Sequence, residues 1–192
     1  YCHILNDDGN IIDDTIVYTF DKKNFMLVPN ASMILKVFNW LLSKSKNFSV
    51  KVDNKSEDYF CIAVQGPESL RLLRQYLNVS ISPFKLTKLD DLIISGTGYT
   101  GEKGYEIIGP LSECLTVWQS FLDMGAIPIG LGARDTLRLE KGYLLSGTDF
   151  NGSQTTLESG YSWVIDWKHD FIGKEKLVSQ KESDYASLSG IL

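Results

Sequence analysis

Histidine, cysteine and proline are all scarce in this 192-residue chain, at two, three and five residues. Cys2, Cys61 and Cys114 are far apart and odd in number. No disulfide framework and no metal-ligand spacing emerges from them, and a reducing compartment is expected. His3 and His169 stand apart from each other and from the cysteines, so neither a metal centre nor a Ser/His/Asp or Cys/His arrangement can be defended. Positive charge is also short. The 19 Lys and Arg against 24 Asp and Glu leave a net charge of −5, not the basic field of a nucleic-acid surface. Long apolar runs are missing too. The longest, residues 37–42, is broken by Asn39 and falls well below the ~18 residues of a membrane span. What remains is a folded-protein composition, 43% hydrophobic and 11% aromatic, sufficient for one domain of ordinary size or two small ones.

Neither end reads as a domain boundary. Residues 1–5 and 187–192 both look strand-like, so a fragment of a longer protein is expected. Strands are predicted at 1–5, 11–20, 25–29, 48–52, 59–64, 92–95, 105–108 and 163–167 from apolar, β-branched runs. Asp8-Gly9 marks a hairpin turn between the first two. Ile34, Val37, Phe38 and Leu41 fall at i, i+3, i+4 and i+7, the stripe of an amphipathic helix over 32–45. Helices are also predicted from Gly66-Pro67 with Leu70, Leu73 and Leu77 on one face, over 111–124, over 133–141 closed by Gly142, and over 174–180. Residues 147–160 read as a polar loop. Hairpins and helices interleave without regular βαβ alternation, which predicts an α+β fold with mostly antiparallel sheets and packed helices.

Three segments carry unusual chemistry. Asp13 and Asp14 interrupt an apolar strand. Alternation sends one carboxylate inward and one outward, and a turn-proximal acid satisfying backbone donors is the bland explanation. The run 98–106 has three glycines in seven residues, which permits positive φ and close ligand approach or simply a long hairpin loop. Its spacing fits neither a dinucleotide nor a Walker motif. Glu106, between Tyr105 and Ile107 on a half-buried strand, is the more informative residue. In the run 130–140, Arg134 and Arg138 share a helix face with Asp135 three residues before Arg138. Arg134 lies in the first turn, where the helix dipole disfavours a cation. An anionic partner or an exposed salt-bridged face explains it equally well. Trp40, Trp118, Trp163 and Trp167 are expected in the core.

Taken together, Asn6-Asp-Asp-Gly-Asn-Ile-Ile-Asp-Asp-Thr-Ile-Val-Tyr18, Val28-Pro-Asn-Ala31, Val64-Gln-Gly-Pro67, Thr97-Gly-Tyr-Thr-Gly-Glu102 with Gly104-Tyr-Glu106, and Gly130-Leu-Gly-Ala-Arg-Asp-Thr-Leu-Arg-Leu-Glu140 resemble the glycine cleavage system T-protein (aminomethyltransferase) family. Gly147-Thr-Asp149 and Asp170-Phe-Ile-Gly-Lys-Glu175 continue the match, so the resemblance covers nearly the whole chain. Gly96 departs from the pattern, which often has Arg there.

The resemblance implies a folate-binding fold, with residues 1–182 as the folate-binding region and 183–192 as the start of a C-terminal barrel. It implies an enzyme that uses tetrahydrofolate and no metal. Such an enzyme takes a methylene group from the aminomethyl-lipoyl arm of a partner H-protein and releases ammonia. Carried over residue by residue, Asp14 is the catalytic acid beside the reacting pterin nitrogens. Asn30 and Tyr99 line the pterin pocket, Glu106 accepts hydrogen bonds from the pterin amino edge, and Arg134 holds a polar or anionic part of the folate. Neither nucleic acid nor a membrane is an expected partner, and the expected compartment is the cytoplasm, or the mitochondrial matrix in a eukaryote. A folate-dependent demethylase of the same superfamily and a non-catalytic folate-binding or structural fragment are the alternatives. The Lys-Gly-Cys-Tyr-x-Gly-Gln motif of the iron–sulfur assembly relatives is not met, since Lys141-Gly-Tyr-Leu-Leu145 offers no cysteine.

Overall fold

The computed structural model describes residues 1–189. In chain order its elements are β1 (Cys2–Leu5), β2 (Ile11–Thr19), β3 (Phe25–Pro29), α1 (Ile34–Ser45), β4 (Tyr59–Gln65), α2 (Ser69–Leu77), β5 (Leu86–Leu89), β6 (Leu92–Ser95), β7 (Gly104–Pro110), α3 (Cys114–Asp123), α4 (Leu131–Lys141) and α5 (Lys174–Lys181). They form two compact units. One combines Tyr1–Asn54 with the chain from Leu144 onward, and the other is Lys55–Tyr143. Both sheets are antiparallel with helices beside them, as expected for the α+β class.

In the first unit, β1, β2 and β3 form a three-stranded sheet in sequence order. The β1–β2 turn is built by Asn6, whose side-chain oxygen accepts from the backbone N–H of Asp8 (3.0 Å) and of Asn10 (2.9 Å). Gly9 adopts φ +81° there, a conformation glycine enters without a Cβ penalty. Pro29 ends β3, an edge strand where a missing backbone donor is tolerated. Leu5 and Ile11 pack with Leu144, Phe150, Leu157 and Leu177 into one buried cluster. Phe150 and Leu157 come from the stretch expected to be a polar loop. That stretch is irregular, yet it supplies apolar side chains to the core between its turns.

In the second unit the strand order is β4-β7-β6-β5. Period-2 alternation puts Phe60, Ile62 and Val64 of β4 and Tyr105 and Ile107 of β7 on one face. Leu72 and Leu73 of α2 and Val117 and Phe121 of α3 complete the core there. α2 begins at Ser69, after a turn in which Ser69 N–H donates to the Gly66 carbonyl, and ends on Asn78 in the left-handed region (φ 53°).

The structure corrects several sequence expectations. Residues 48–52 form no strand. Phe48 and Val50 are exposed, and without a partner strand an apolar run has no ladder to join. Residues 163–167 form no strand either, because Ser162–Val164 is a 3₁₀ turn. Trp163 (68% exposed) and Trp118 (41%) are not core residues. Trp40 and Trp167 are half-buried. Strand β5 went unpredicted. The helix expected from 32 starts at Ile34, after a 3₁₀ turn over Ala31–Met33. Residues 187–189 are irregular, and the rest of the strand expected at 187–192 lies outside the described residues.

Candidate functional site

The expected site residues fall into two clusters, one in each unit. In the first unit, β2 carries Asp13 fully buried and Asp14 half-buried, as alternation requires. Asn30, just past β3, joins them. Its backbone N–H donates to Asp13 Oδ2 (2.9 Å) and its amide Nδ2 donates to Asp13 Oδ1 (2.8 Å) and to Asp14 Oδ1 (2.7 Å). Both amide hydrogens of Asn30 are thus committed to carboxylates. The buried Asp13 gains two donors, which offset its desolvation.

Asp14 Oδ2 accepts from the Tyr1 hydroxyl at 2.8 Å. Burial pushes the Asp14 carboxyl above the usual carboxylate range. The Tyr1 and Asn30 hydrogen bonds oppose that shift, and the neighbouring Asp13 reinforces it. The Tyr1 hydroxyl also lies 3.2 Å from His3 Nε2. Its single hydrogen goes to Asp14, so it accepts from His3, which places the imidazole hydrogen on Nε2. His3 Nδ1 then accepts from Thr156 Oγ1 at 3.0 Å. Burial lowers the His3 pKa to about 4. The result is a continuous chain, Thr156–His3–Tyr1–Asp14, ending on the acid named from sequence. A groove of about 370 Å³ in the same unit, lined by Lys36, Trp40 and Asn39 among others, contains none of the expected residues.

In the second unit, Glu106 of β7 pairs with Ala63 of β4 and Ser95 of β6. Thr97 donates its hydroxyl to Glu106 Oε2. Because that hydrogen is spent, Ser95 Oγ is the donor in its 2.8 Å contact with Thr97 Oγ1. Ser95 and Thr97 are both buried. Tyr99 is half-buried in the β6–β7 loop. Its ring stacks on Tyr143 (centroids 5.8 Å apart, planes at 24°), and the Arg134 guanidinium lies 4.3 Å from its centroid. That cation–π contact gives Arg134 an intramolecular reason to occupy the first turn of α4. Arg138 is buried, held by Asp135 at 2.7 Å and the Tyr143 carbonyl at 3.1 Å.

Of the three glycines in the 98–104 run, only Gly101 has positive φ (+75°). Gly98 and Gly104 instead face the Gln65 carboxamide. Gly96 also has a local reason. A Cβ there would overlap the Ser82 carbonyl, so the backbone at this point excludes any side chain, Arg included.

Sequence reasoning missed Tyr1, His3, Thr156, Gln65, Thr97 and Tyr143. Gln65 and Thr97 lie inside motifs that carry the family resemblance, and His3 had a signal in the recognisable β1–β2 turn, whose register places it opposite Asp14. Among the described residues, no group of three or more His, Cys, Asp or Glu is placed to hold a metal, and no helix is long and apolar enough to cross a membrane.

Residues 1–169 match the family model described as GCVT N-terminal domain. The chain is 44% identical over 192 residues to an aminomethyltransferase of Pseudothermotoga lettingae, covering 95% of this chain and 53% of that protein. It is 42% identical over 194 residues to an aminomethyltransferase of Halothermothrix orenii, covering 95% and 54%. The chain thus spans about half the length of the curated relatives it matches. The crystal structure of glycine cleavage system aminomethyltransferase T from Bartonella henselae superposes with a TM-score of 0.84 at 27% identity, over 94% of this chain and 52% of that one.

Proposed function

The chain belongs to the GCVT N-terminal domain family, and from that premise we propose that it is the folate-binding part of a tetrahydrofolate-dependent aminomethyltransferase of the glycine cleavage system. The observation that carries the reading is the Asp14 carboxylate, partly desolvated yet fixed by Tyr1 and Asn30. A half-buried acid kept in one orientation by two donors is suited to a positive charge that develops only during reaction.

The reaction moves one carbon. The bond between the lipoyl sulfur and its aminomethyl carbon breaks to leave a thiol, and the carbon–amine bond breaks to release ammonia. The methylene bridges two nitrogens of tetrahydrofolate, whose two N–H protons pass to the sulfur and the amine. Asp14 stabilises the iminium-like carbon and orients the attacking nitrogen. It need not be a strong base. Glu106, held from one side by Thr97, accepts from the donor-rich amino edge of the pterin. Tyr99 offers a flat wall for the ring, and Asn30 contributes to the pterin pocket by holding Asp14. Arg134, exposed above Tyr99, takes a polar or anionic part of the folate. The lipoylated H-protein is the carbon donor. Residues 1–182 form the folate-binding region and 183–192 open a C-terminal barrel. The three free cysteines suit a reducing compartment, cytosol or mitochondrial matrix.

Calorimetric titration with tetrahydrofolate tests the reading. Glu106→Ala is expected to weaken binding by about 10- to 100-fold, the loss of charge-assisted hydrogen bonds. Unchanged affinity removes Glu106 from the site. Asp14→Asn is expected to bind tetrahydrofolate but to release ammonia from aminomethyl-loaded H-protein far more slowly, and equal turnover removes Asp14 from the chemistry.

A further inference from the structure

We propose that Gln65 is the positioning residue of the loop that carries Tyr99, and that Gly98 and Gly104 are glycines because of it. The inference deepens the folate reading of the second unit and rests on that reading only for its ligand arm.

Gln65 ends β4 opposite Gly104 of β7. Its side chain turns into the β6–β7 loop. Nε2 donates to the Tyr105 carbonyl (3.1 Å) and the Thr97 carbonyl (3.3 Å), and Oε1 accepts from Thr100 Oγ1 (3.0 Å). Thr100 Oγ1 in turn accepts from the Glu102 N–H (3.2 Å). One planar head therefore ties both stems of the loop to its bend. The position needs two donors and an acceptor in one group, which a carboxamide has; a carboxylate lacks the donors and an ammonium lacks the acceptor.

The glycines follow from the same head. A Cβ on Gly98 or on Gly104 would overlap the Gln65 carboxamide. Neither glycine has a left-handed φ, so backbone conformation does not demand glycine at either place. The slot they form is the space Gln65 occupies.

Tyr99 sits between Gly98, which abuts Gln65, and Thr100, which bonds to it. Thr97, whose carbonyl Gln65 holds, is the residue that donates to Glu106. Gln65 thus sets the approach of both the aromatic wall and the acid.

A double-mutant cycle with ring-resonance and binding readouts tests this. Gly98→Ala is expected to lower Tm by about 3–10 °C, the overpacking cost in a chain of this size, and by less than half as much in a Gln65→Ala background, where the slot is open. Equal losses in both backgrounds would overturn the origin of the glycines. Gln65→Glu is nearly isosteric, keeps the Thr100 acceptor and loses both donors. In the folded Gln65→Glu protein the Tyr99 ring resonances are expected to shift, and the tetrahydrofolate Kd to rise about tenfold. Unmoved Tyr99 resonances, or equal tetrahydrofolate affinity in parent and variant, would overturn the positioning role. A parent that does not bind tetrahydrofolate at all sinks the proposed function, while the cycle and the resonances still decide Gln65.

Discussion

Acidifying the protein from pH 7 to pH 4 is expected to remove about 3 kcal/mol of stability through His3 alone. The imidazole lies between Thr156 Oγ1 and the Tyr1 hydroxyl, under the Tyr161 ring (centroids 5.9 Å apart, planes at 23°) and near Phe150. Burial among these groups lowers its pKa from 6.5 to about 4. Its link to a carboxylate runs through Tyr1, whose hydroxyl donates to Asp14. A base whose folded pKa is depressed contributes stability that is complete above its unfolded pKa and lost as pH falls through the folded one. The window is therefore pH 6.5 down to about 4. At about 1.4 kcal/mol per pH unit, the loss reaches about 2 kcal/mol at pH 5 and about 3 kcal/mol at pH 4. The assay is urea unfolding of the parent and of His3→Gln at pH 7.5, 6, 5 and 4. Carboxylates titrate in both proteins and cancel in the difference, which is expected to swing by about 3 kcal/mol in favour of His3→Gln as pH falls. A difference constant across the series refutes the burial argument, because it requires His3 to take up its proton equally well folded and unfolded.

Three further outcomes follow from the two clusters. Asp14 has its pKa raised by burial, so the stability tied to its neutral form is complete below the ordinary carboxylate range and lost as pH rises through the raised value. Asp14→Asn is therefore expected to raise Tm at pH 7 and to leave it near the parent's at pH 3 in scanning calorimetry; a lower Tm at pH 7 refutes this. Asn30→Ala removes one donor from the buried Asp13 and one from Asp14, at an expected cost of about 2–4 kcal/mol in urea unfolding, and a cost below about 0.5 kcal/mol would show that neither bond matters. Thr97→Val strips a donor from Glu106 and leaves the Ser95 hydroxyl without its acceptor. It is expected to cost about 1–3 kcal/mol by the same assay, and Ser95→Ala placed on Thr97→Val should recover part of it.

Elements with a strong period were legible in the sequence, and elements made by context were not. Residues 25–29 and 92–95 were read at the bounds observed for β3 and β6, since both are short apolar runs between turn residues. β5, Leu-Thr-Lys-Leu, is an edge strand with one exposed lysine. Its identity comes from pairing with β6, a non-local fact that composition does not carry. The runs at 48–52 and 163–167 failed for the converse reason, having β-prone residues and no neighbour to pair with. Asp13 and Asp14 stood out because a strand seldom spends two positions on acids. Their bridging by Asn30 was hidden, because it depends on how far past Pro29 the chain turns. The glycine run was visible as a motif while its cause was not. Gln65 lies more than thirty residues upstream of Gly98, and only the β4–β7 register brings it to the loop.

The first unit is discontinuous in the chain, and this sets an order of events on the ribosome. Leu5 and Ile11 emerge early, but Leu144, Phe150, Leu157 and Leu177, which bury them, follow only after the whole of Lys55–Tyr143. At about 5–20 residues per second the nascent hairpin waits on the order of ten seconds for its cover. The contiguous second unit has every partner it needs well before then. The β1–β2 hairpin, although made before Lys55–Tyr143, gains its cover only after that unit is complete.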